Sequence, residues 1–267
     1  MSRPEPRPPL YDRIGTRYDA TRRADPYLVE RLLYYLDPAP NGEYLDMACG
    51  TGNYTVAVAQ AGQRVHGIDQ SQRMIAAACE KSGAIIWHIG NVEALPFHNG
   101  VFSGVMCTLA IHHFQALQPA FQEAFRVLSP GRFVLFTSTA EQMRGYWLNA
   151  YFPTAMARSI AQMPSLQAIV QALRRSGFTT MYTEPYEVQN DLQDFFLYSG
   201  KHRPEMYLDS RVRAGISTFA ALAEASEVEE GCRRLAQDIE SGRIADVIGV
   251  YKHAQGDYLF VVGEKER

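Results

Sequence analysis

Two glycines and an acid stand at a spacing that suits the binding of a nucleoside. Residues 44–53 read YLDMACGTGN, a short apolar stretch that leads into Gly50 and Gly52, and the next apolar stretch ends at Asp69. Glycine lets a backbone turn sharply and approach a ligand closely. A carboxylate accepts hydrogen bonds from both hydroxyls of a ribose. The pattern predicts a strand, a glycine loop and a helix that hold a nucleoside, with its ribose on Asp69.

Position 55 indicates that this nucleoside carries no phosphate. In a dinucleotide loop of the form G-x-G-x-x-G, the third glycine lets the helix pack closely beside the pyrophosphate. Here that position is Thr55. An NAD-dependent oxidoreductase shares the strand, the loop and the acid, so it stays an alternative, which Thr55 opposes.

The loop and Asp69 resemble those of the class I S-adenosylmethionine-dependent methyltransferases, whose loop has the form E/D-x-x-C-G-T-G. The chain looks similar to their small-molecule branch, related to the ubiquinone and menaquinone C-methyltransferases. Their donor has the adenosine of a dinucleotide but no phosphate, which agrees with Thr55. The resemblance implies S-adenosyl-L-methionine as the cofactor and in-line methyl transfer as the reaction.

The resemblance extends over the first half of the chain. GNVEALPF at 90–97 is similar to the family's adenine loop, and IHHF at 111–114 stands where the family has residues that face the methyl group. FRVLSPGRFVLFTS at 125–138 resembles a helix end, a Pro-Gly turn and the fifth strand. Relatives commonly have Asp at the position of Asn91, whose amide oxygen also suits the adenine amino group. Val92 would offer its N–H to the ring.

The leading segment, residues 11–26, resembles a helix that folds over the cofactor in the family. In this interpretation Tyr18 and Arg22 close over the methionine end or over the acceptor. An amphipathic surface helix with solvated arginines is the alternative, and the sequence favours neither. The resemblance implies cofactor contacts at Asp46, Ala48, Gly50, Gly52, Asp69, Gln70, Met74, Asn91, Val92, Thr108, Tyr18 and Arg22.

His112 and His113 are the candidates for a catalytic base. A neutral imidazole beside the methyl group can take the proton of a hydroxyl, a thiol or an acidic carbon. In the alternative interpretation, one histidine caps the loop and the other packs on Phe114. No metal site is predicted, because adjacent side chains diverge and no third ligand is spaced to join them. A base is also not indispensable. Holding donor and acceptor in line lowers the activation free energy by on the order of 7–11 kcal/mol, whereas a base lowers it by roughly 3–5 kcal/mol.

Composition and charge disfavour several other classes of protein. The 267 residues carry a net charge of −3 and no run of Lys or Arg, so a nucleic-acid partner is not expected, because phosphates need clustered cations. No apolar run is long enough to span a bilayer and the first ten residues lack the apolar core of a signal peptide. We therefore expect a cytoplasmic protein with no membrane partner. The four cysteines form no C-x-x-C pair, which argues against a zinc site and a disulfide framework. The sequence leaves the oligomeric state open.

The succession of apolar stretches predicts an α/β fold with helices on both faces of a Rossmann-like, mostly parallel sheet of seven strands. The family resemblance adds an antiparallel last strand, and the long inserts add a helical lid. The predicted core comprises residues 1–140, 165–184 and 258–267. The predicted lid comprises 141–164 and 185–257, with helices at 192–199, 211–225 and 227–241.

Two parts of the lid carry residues that suit an acceptor site. Trp147 and Tyr151 are predicted to line the acceptor pocket, and Arg203 to bind an anionic acceptor. In the alternatives the aromatic residues form the core of the lid, and the cations follow a helix end at Gly200. The acceptor is predicted to be a small molecule with an O, S, N or acidic C nucleophile. A non-catalytic protein that binds S-adenosylmethionine stays open.

Overall fold

Seven strands form one sheet in the computed structural model, which describes residues 19–251 and 254–266. The strands are β1 (Glu43–Met47), β2 (Arg64–Asp69), β3 (Ile86–Ile89), β4 (Phe102–Thr108), β5 (Leu128–Thr137), β6 (Thr180–Tyr186) and β7 (Tyr258–Lys265). Their order across the sheet is β3-β2-β1-β4-β5-β7-β6. Strand β7 runs antiparallel to both of its neighbours. This architecture confirms the predicted α/β fold, including its antiparallel last strand.

Helices connect and cover the strands. In the described residues they are α1 (Pro26–Leu36), α2 (Asn53–Gln60), α3 (Gln72–Lys81), α4 (Leu117–Val127), α5 (Ala140–Arg144), α6 (Pro153–Gln162), α7 (Leu166–Ser176), α8 (Ser210–Ala214), α9 (Ala225–Glu240) and α10 (Ile244–Val250). The side chains of Asp25, Ser71 and Ser165 cap the first turns of α1, α3 and α7, as polar caps do. None of the helices in the described part of the chain has the length and apolarity to cross a membrane.

Alternate residues of β5 pack on the two sides of the sheet. Phe133 and Leu135 belong to the apolar cluster that contains side chains of α4 and α7. Val134 and Phe136 belong to the cluster that contains side chains of α1 and of residues 146–152. Because successive side chains of a strand point to opposite faces, both faces of the sheet are covered. The carboxyl ends of the parallel strands are then the natural place for a ligand.

Two chain segments pack together beyond the carboxyl end of β5. One follows β5 and the other lies between β6 and β7. The rings of Tyr146 and Tyr198 stack with their centroids 3.9 Å apart, and the indole N–H of Trp147 donates to the carbonyl of Lys201 at 3.1 Å. These rings and Phe136 belong to one buried cluster, so the two segments are joined to the sheet by an aromatic core.

Residues 192–199 form no helix, contrary to the prediction. Three of their backbone N–H groups donate to distant parts of the chain instead of to the carbonyl four residues earlier. The bonds run from Gln193 to the Asp25 carboxylate at 2.9 Å, from Phe195 to the carbonyl of Thr21 at 3.1 Å, and from Tyr198 to the hydroxyl of Tyr258 at 3.1 Å. Tertiary contacts therefore override the helical spacing of apolar residues, and no helix ends at Gly200.

Two further boundaries differ from the prediction. The helix expected at 211–225 is broken, because α8 ends at Gly215, where a Cβ would lie 2.3 Å from the hydroxyl of Thr21. A short π-helical turn, Thr218–Leu222, follows. The Pro-Gly turn before the fifth strand is absent from the described structure, since Gly131 already pairs with Lys265 inside β5 and β7. The helix predicted at 227–241 is confirmed as α9.

Candidate active site

The glycine loop leaves β1 in a left-handed backbone conformation. Ala48, Gly50 and Gly52 have φ values of 56°, 56° and 74°, a region that glycine adopts without strain and other residues rarely adopt. At Gly52 a Cβ would also lie 2.3 Å from the ring of Trp87. The loop therefore requires glycine at this position.

The loop borders a cleft at the carboxyl ends of β1, β2 and β4. Its empty space is about 1030 Å³, including the open mouth, and small-molecule sites commonly have about 300–1,000 Å³. Of the predicted cofactor contacts, Gly52 does not line the cleft, and Tyr18 lies outside the described residues. The others line the cleft: Arg22, Asp46, Ala48, Gly50, Asp69, Gln70, Met74, Asn91, Val92 and Thr108.

Asp69 ends β2 directly beside the glycine loop. Its carboxylate accepts the backbone N–H of Gly50 at 3.0 Å and that of Ser71 at 2.8 Å. A carboxylate accepts hydrogen bonds at several positions, and ribose hydroxyls are among the donors that suit it. The acid and the loop thus hold each other in place, and ribose binding by Asp69 stays a prediction.

Asn91 turns its amide oxygen toward its own loop. The oxygen accepts a hydrogen bond from the backbone N–H of Glu93 at 2.9 Å. An amide oxygen has two acceptor sites, and this bond engages one of them on the atom that is predicted to meet the adenine amino group. The N–H of Gly90 donates to the carbonyl of Asp69 at 3.0 Å. This bond ties the adenine loop to the end of β2, where Val92 is buried in the cleft wall.

Asp46 lies buried beneath the loop with one oxygen that lacks a partner among the described residues. Its Oδ2 accepts the hydroxyl of Thr55 at 2.6 Å, so the residue that replaces the third glycine holds this acid. Neither Oδ1 of Asp46 nor the hydroxyl of Thr108 has a partner in the described part of the chain. Burial raises the pKa of Asp46 to about 7 against the effect of the Thr55 hydrogen bond, and the charge of Asp69 adds to the rise. Two such buried atoms fit a cationic group that donates hydrogen bonds.

A polar cluster ties the leading segment to the glycine loop. The ammonium group of Lys81 donates to the Asp19 carboxylate at 2.7 Å and to the Thr51 hydroxyl at 2.8 Å. The Asn53 amide donates to the carbonyl of Arg22 at 3.0 Å. Lys81 and Asp19 were not predicted from the sequence, because no local spacing links residues on such distant segments.

Arg22 pairs with Asp194, which lies in the segment between β6 and β7. The Arg22 Nε donates to one carboxylate oxygen and its Nη2 to the other at 3.2 Å. The Tyr54 hydroxyl adds a bond to Asp194 at 3.1 Å. The two charged side chains are 11% and 2% exposed, so the ion pair is buried. The carboxylate beside the Arg22 guanidinium is therefore one of the protein's own.

A second cavity, of about 530 Å³ with its opening, adjoins the cleft. Arg22 and Leu109 line both spaces, and Leu109 has a φ of 54°, a strained conformation for a residue with a Cβ. His113 lines the cleft and His112 lines the cavity. The two candidate bases therefore lie at the boundary between the spaces. Within the described ranges, no three potential metal ligands lie close enough to hold an ion.

Burial lowers the pKa of both histidines. It lowers the pKa of His113 to about 4. The pKa of His112 lies well below 6.5, mainly through burial and further through the nearby His113 and Arg22. The two rings are in contact, with centroids 3.9 Å apart. Both imidazoles are neutral at neutral pH, which is the form that accepts a proton.

These two histidines should make the stability of the protein fall in acid. Between about pH 6.5 and pH 4 the unfolded chain takes up protons at both positions while folded His113 stays neutral down to about 4. The unfolded state then binds more protons, so stability decreases as the pH falls, by up to about 1.4 kcal/mol per pH unit for each group. Urea unfolding across this range should show a smaller loss for His112→Gln and His113→Gln, whereas the exposed His98→Gln should match the wild type. If the free energy of unfolding changed equally with pH in all four proteins, the lowered pKa of the two histidines would be contradicted.

The three residues predicted to bind the acceptor line neither the cleft nor the cavity. Trp147 is fully buried in the aromatic core, and Tyr151 donates to the Asp238 carboxylate at 2.8 Å. Arg203 lies over the ring of Phe195 and donates to the carbonyl of Leu192 at 2.8 Å. Packing inside the lid segments, not an acceptor, accounts for all three positions.

Comparison with known proteins agrees with this geometry. A family model described as a methyltransferase domain matches residues 45–136. The crystal structure of a putative methyltransferase from an antibiotic biosynthesis pathway of Anabaena variabilis is 31% identical. It superposes with a TM-score of 0.83 over 92% of this chain and 99% of that one. The chain belongs to the class I S-adenosylmethionine-dependent methyltransferases. S-adenosylmethionine is accordingly the cofactor of this protein.

Other members of this methyltransferase family match the chain over part of their length. A malonyl-[acyl-carrier protein] O-methyltransferase of Erwinia pyrifoliae is 30% identical over 161 residues, which are 58% of this chain and 62% of the relative. A ubiquinone/menaquinone biosynthesis C-methyltransferase of Syntrophotalea carbinolica is 34% identical over 134 residues, 46% and 56% of the two chains. The chain thus spans less than two thirds of the length of these curated relatives.

Proposed function

We propose that the protein transfers the methyl group of S-adenosylmethionine to a small molecule bound in the second cavity. One observation carries the proposal: Arg22 and Leu109 form a wall common to the donor cleft and to this cavity. A ligand in the cleft and a ligand in the cavity would then lie next to each other. A protein that only binds the donor has no need of an adjoining cavity, so the cavity favours an enzyme.

Each end of the donor has matching side chains in the cleft. We assign the ribose to Asp69, the adenine to Asn91 and Val92, and the amino group of the methionine part to Asp46 and Thr108. The last assignment would give partners to the two buried oxygen atoms that lack them among the described residues. Among the described residues that line the cleft, Arg22 is the permanent cation, and Asp194 already accepts two hydrogen bonds from its guanidinium, so this lining suits a phosphate poorly.

When bound, S-adenosylmethionine supplies an activated methyl group, whose carbon bonds to the electron pair of the acceptor while the carbon–sulfur bond breaks and S-adenosylhomocysteine is released. The protein contributes mainly by holding donor and acceptor in line, because this alignment lowers the activation free energy more than a base does. Arg22 and Leu109 form the boundary between the cleft and the cavity, where the two reactants meet. The neutral His112 accepts the acceptor's proton from the cavity side, and His113 holds the ring of His112 from the cleft side.

The segments 141–164 and 185–257 serve as a lid in this proposal. They supply most of the cavity wall, including Met143, Phe196 and Thr218. The ion pair of Arg22 and Asp194 joins the lid to the leading segment. A closed wall keeps water from the sulfonium and strengthens the electrostatic interactions inside.

The affinity for S-adenosylmethionine should depend on pH through Asp46. Below a pH of about 7 this acid is protonated in the free protein, and binding of a cationic group must then release the proton. The dissociation constant should therefore rise up to about tenfold per pH unit as the pH falls below 7. Calorimetric titrations of the wild type and of Asp46→Asn test this, with the exposed Asp37→Asn as the control. If the dissociation constant of Asp46→Asn still rose in the same way as the pH falls, the assignment of the donor's amino group to Asp46 would be contradicted.

Methyl transfer itself is tested by the release of S-adenosylhomocysteine. We expect release when the purified protein and the donor are mixed with fractions of a metabolite extract, and none with donor alone. Ser217 lines only the cavity, so Ser217→Trp should abolish release while donor affinity stays within about threefold of the wild type. Donor binding without release in any fraction would favour a binding protein over an enzyme.

A further inference from the structure

The second cavity is mostly apolar, and this restricts what it can bind. Its apolar lining comes from Leu109, Met143, Met163, Phe196, Leu197 and Ile216. Methionine side chains are flexible and polarisable, so they adapt to a flat or irregular apolar ligand. An acceptor with a large apolar body therefore fits the cavity better than a small polar one.

Among the described residues, the cavity offers no charge that a ligand can pair with. Arg22 is the fully charged residue among its lining residues, and Asp194 already accepts two bonds from its guanidinium. The other titratable lining residues are His112, which burial keeps neutral, and Tyr258, whose pKa burial raises. A carboxylate, phosphate or ammonium group would lose its hydration there without a new partner, which is costly.

Several hydroxyl groups of the cavity wall are already engaged within the protein. The Ser159 and Thr218 hydroxyls bond each other at 2.9 Å, and the Ser138 hydroxyl bonds that of Tyr146 at 2.8 Å. The Tyr258 hydroxyl accepts the N–H of Tyr198 at 3.1 Å. Most polar atoms in the wall therefore hold the lid together and have little left for a ligand.

His112 also lines the cavity. Its Nδ1 is buried with no partner among the described residues, so Nε2 is the ring nitrogen left to meet a ligand in the cavity. A hydroxyl both donates and accepts, so it suits Nε2 in either tautomer of the neutral ring.

We infer that the acceptor is an uncharged, mostly apolar molecule whose phenolic or enolic hydroxyl meets His112 and becomes methylated. The inference rests on the proposed function and specifies the acceptor class of the same site. In the transfer, the hydroxyl oxygen bonds the methyl carbon, the carbon–sulfur bond breaks toward sulfur, and the hydroxyl proton passes to His112. A base with a lowered pKa takes protons only from fairly acidic hydroxyls, and phenols resemble tyrosine, with a pKa of about 10.

Three probes of the same size separate the features of this acceptor. Naphthol has the apolar body and the acidic hydroxyl, hydroxynaphthoate adds a negative charge, and methoxynaphthalene removes the hydroxyl donor. Calorimetry on the full chain saturated with S-adenosylhomocysteine should give naphthol a dissociation constant at least about tenfold lower than that of either analogue. With S-adenosylmethionine, naphthol should be methylated and the two analogues should not.

Two variants place the probe in the cavity. His112→Phe keeps a ring and removes the nitrogens, so naphthol affinity should fall about tenfold or more. Ser217→Trp should remove binding of all three probes, and donor affinity should persist in both variants. Tighter binding of hydroxynaphthoate, no binding of any probe, or an unchanged affinity in His112→Phe would overturn the inference. Failure of the proposed function is distinguished by its own result, loss of donor binding or absence of S-adenosylhomocysteine release with every extract fraction.

Discussion

Replacing Asp69 by alanine is expected to weaken the binding of S-adenosylmethionine by about 10²- to 10⁴-fold. Two hydrogen bonds from ribose hydroxyls to a carboxylate are worth about 1.5–3 kcal/mol each. The carboxylate also holds the N–H groups of Gly50 and Ser71, so the glycine loop loses its support in the same variant. Asp69→Asn keeps one acceptor oxygen and should lose less.

Calorimetric titration with the donor measures this loss. The control is Asp246→Asn, which removes an exposed acid of α10 far from the cleft and should bind like the wild type. Thermal unfolding of the ligand-free variants separates a lost contact from a lost fold. A donor affinity within about threefold of the wild type in Asp69→Ala would show that the ribose is bound elsewhere.

Replacing Asp194 by alanine is expected to have the largest effect on stability. The change leaves the buried guanidinium of Arg22 without its carboxylate, and breaking a buried ion pair costs about 3–5 kcal/mol. The Tyr54 hydroxyl loses an acceptor at the same time. For a chain of this size the unfolding midpoint should fall by roughly 6–20 °C.

Two comparisons make the prediction specific. Glu230→Ala breaks an exposed pair with Arg233, whose side chains are both 54% exposed, and should change the midpoint by only about a degree. The double variant Arg22→Leu with Asp194→Leu removes both charges and should recover at least half of the loss, since apolar replacements of buried pairs are often tolerated. A midpoint for Asp194→Ala equal to that of Glu230→Ala would contradict the role of the pair.

The donor cleft could be predicted from the sequence because its parts are local. An apolar strand ends at or shortly before each of three residues, Gly50, Asp69 and Asn91. Parallel strands bring their carboxyl ends together. The type of residue at 55 was enough to indicate a ligand without phosphate. The Thr55 hydroxyl also donates a hydrogen bond to the Asp46 carboxylate. The spacing of residues in the sequence does not reveal this contact.

The acceptor side could not be predicted, because its contacts join distant segments. Arg22 and Asp194 are separated by 172 positions, and Asp194 lies in a stretch whose apolar spacing resembles a helix. There the backbone N–H groups bond Asp25, Thr21 and Tyr258, which no local pattern encodes. Aromatic composition at Trp147 and Tyr151 indicated a pocket, yet large rings serve a buried core equally well.

The central claim is that the cleft binds S-adenosylmethionine and not a dinucleotide. Calorimetric titration of the purified chain with S-adenosylmethionine, and in parallel with NAD, tests it most directly. We expect one donor molecule per chain with a dissociation constant on the order of micromolar, and no heat with NAD. Binding of NAD at that strength, with no heat from S-adenosylmethionine or S-adenosylhomocysteine, would contradict the account.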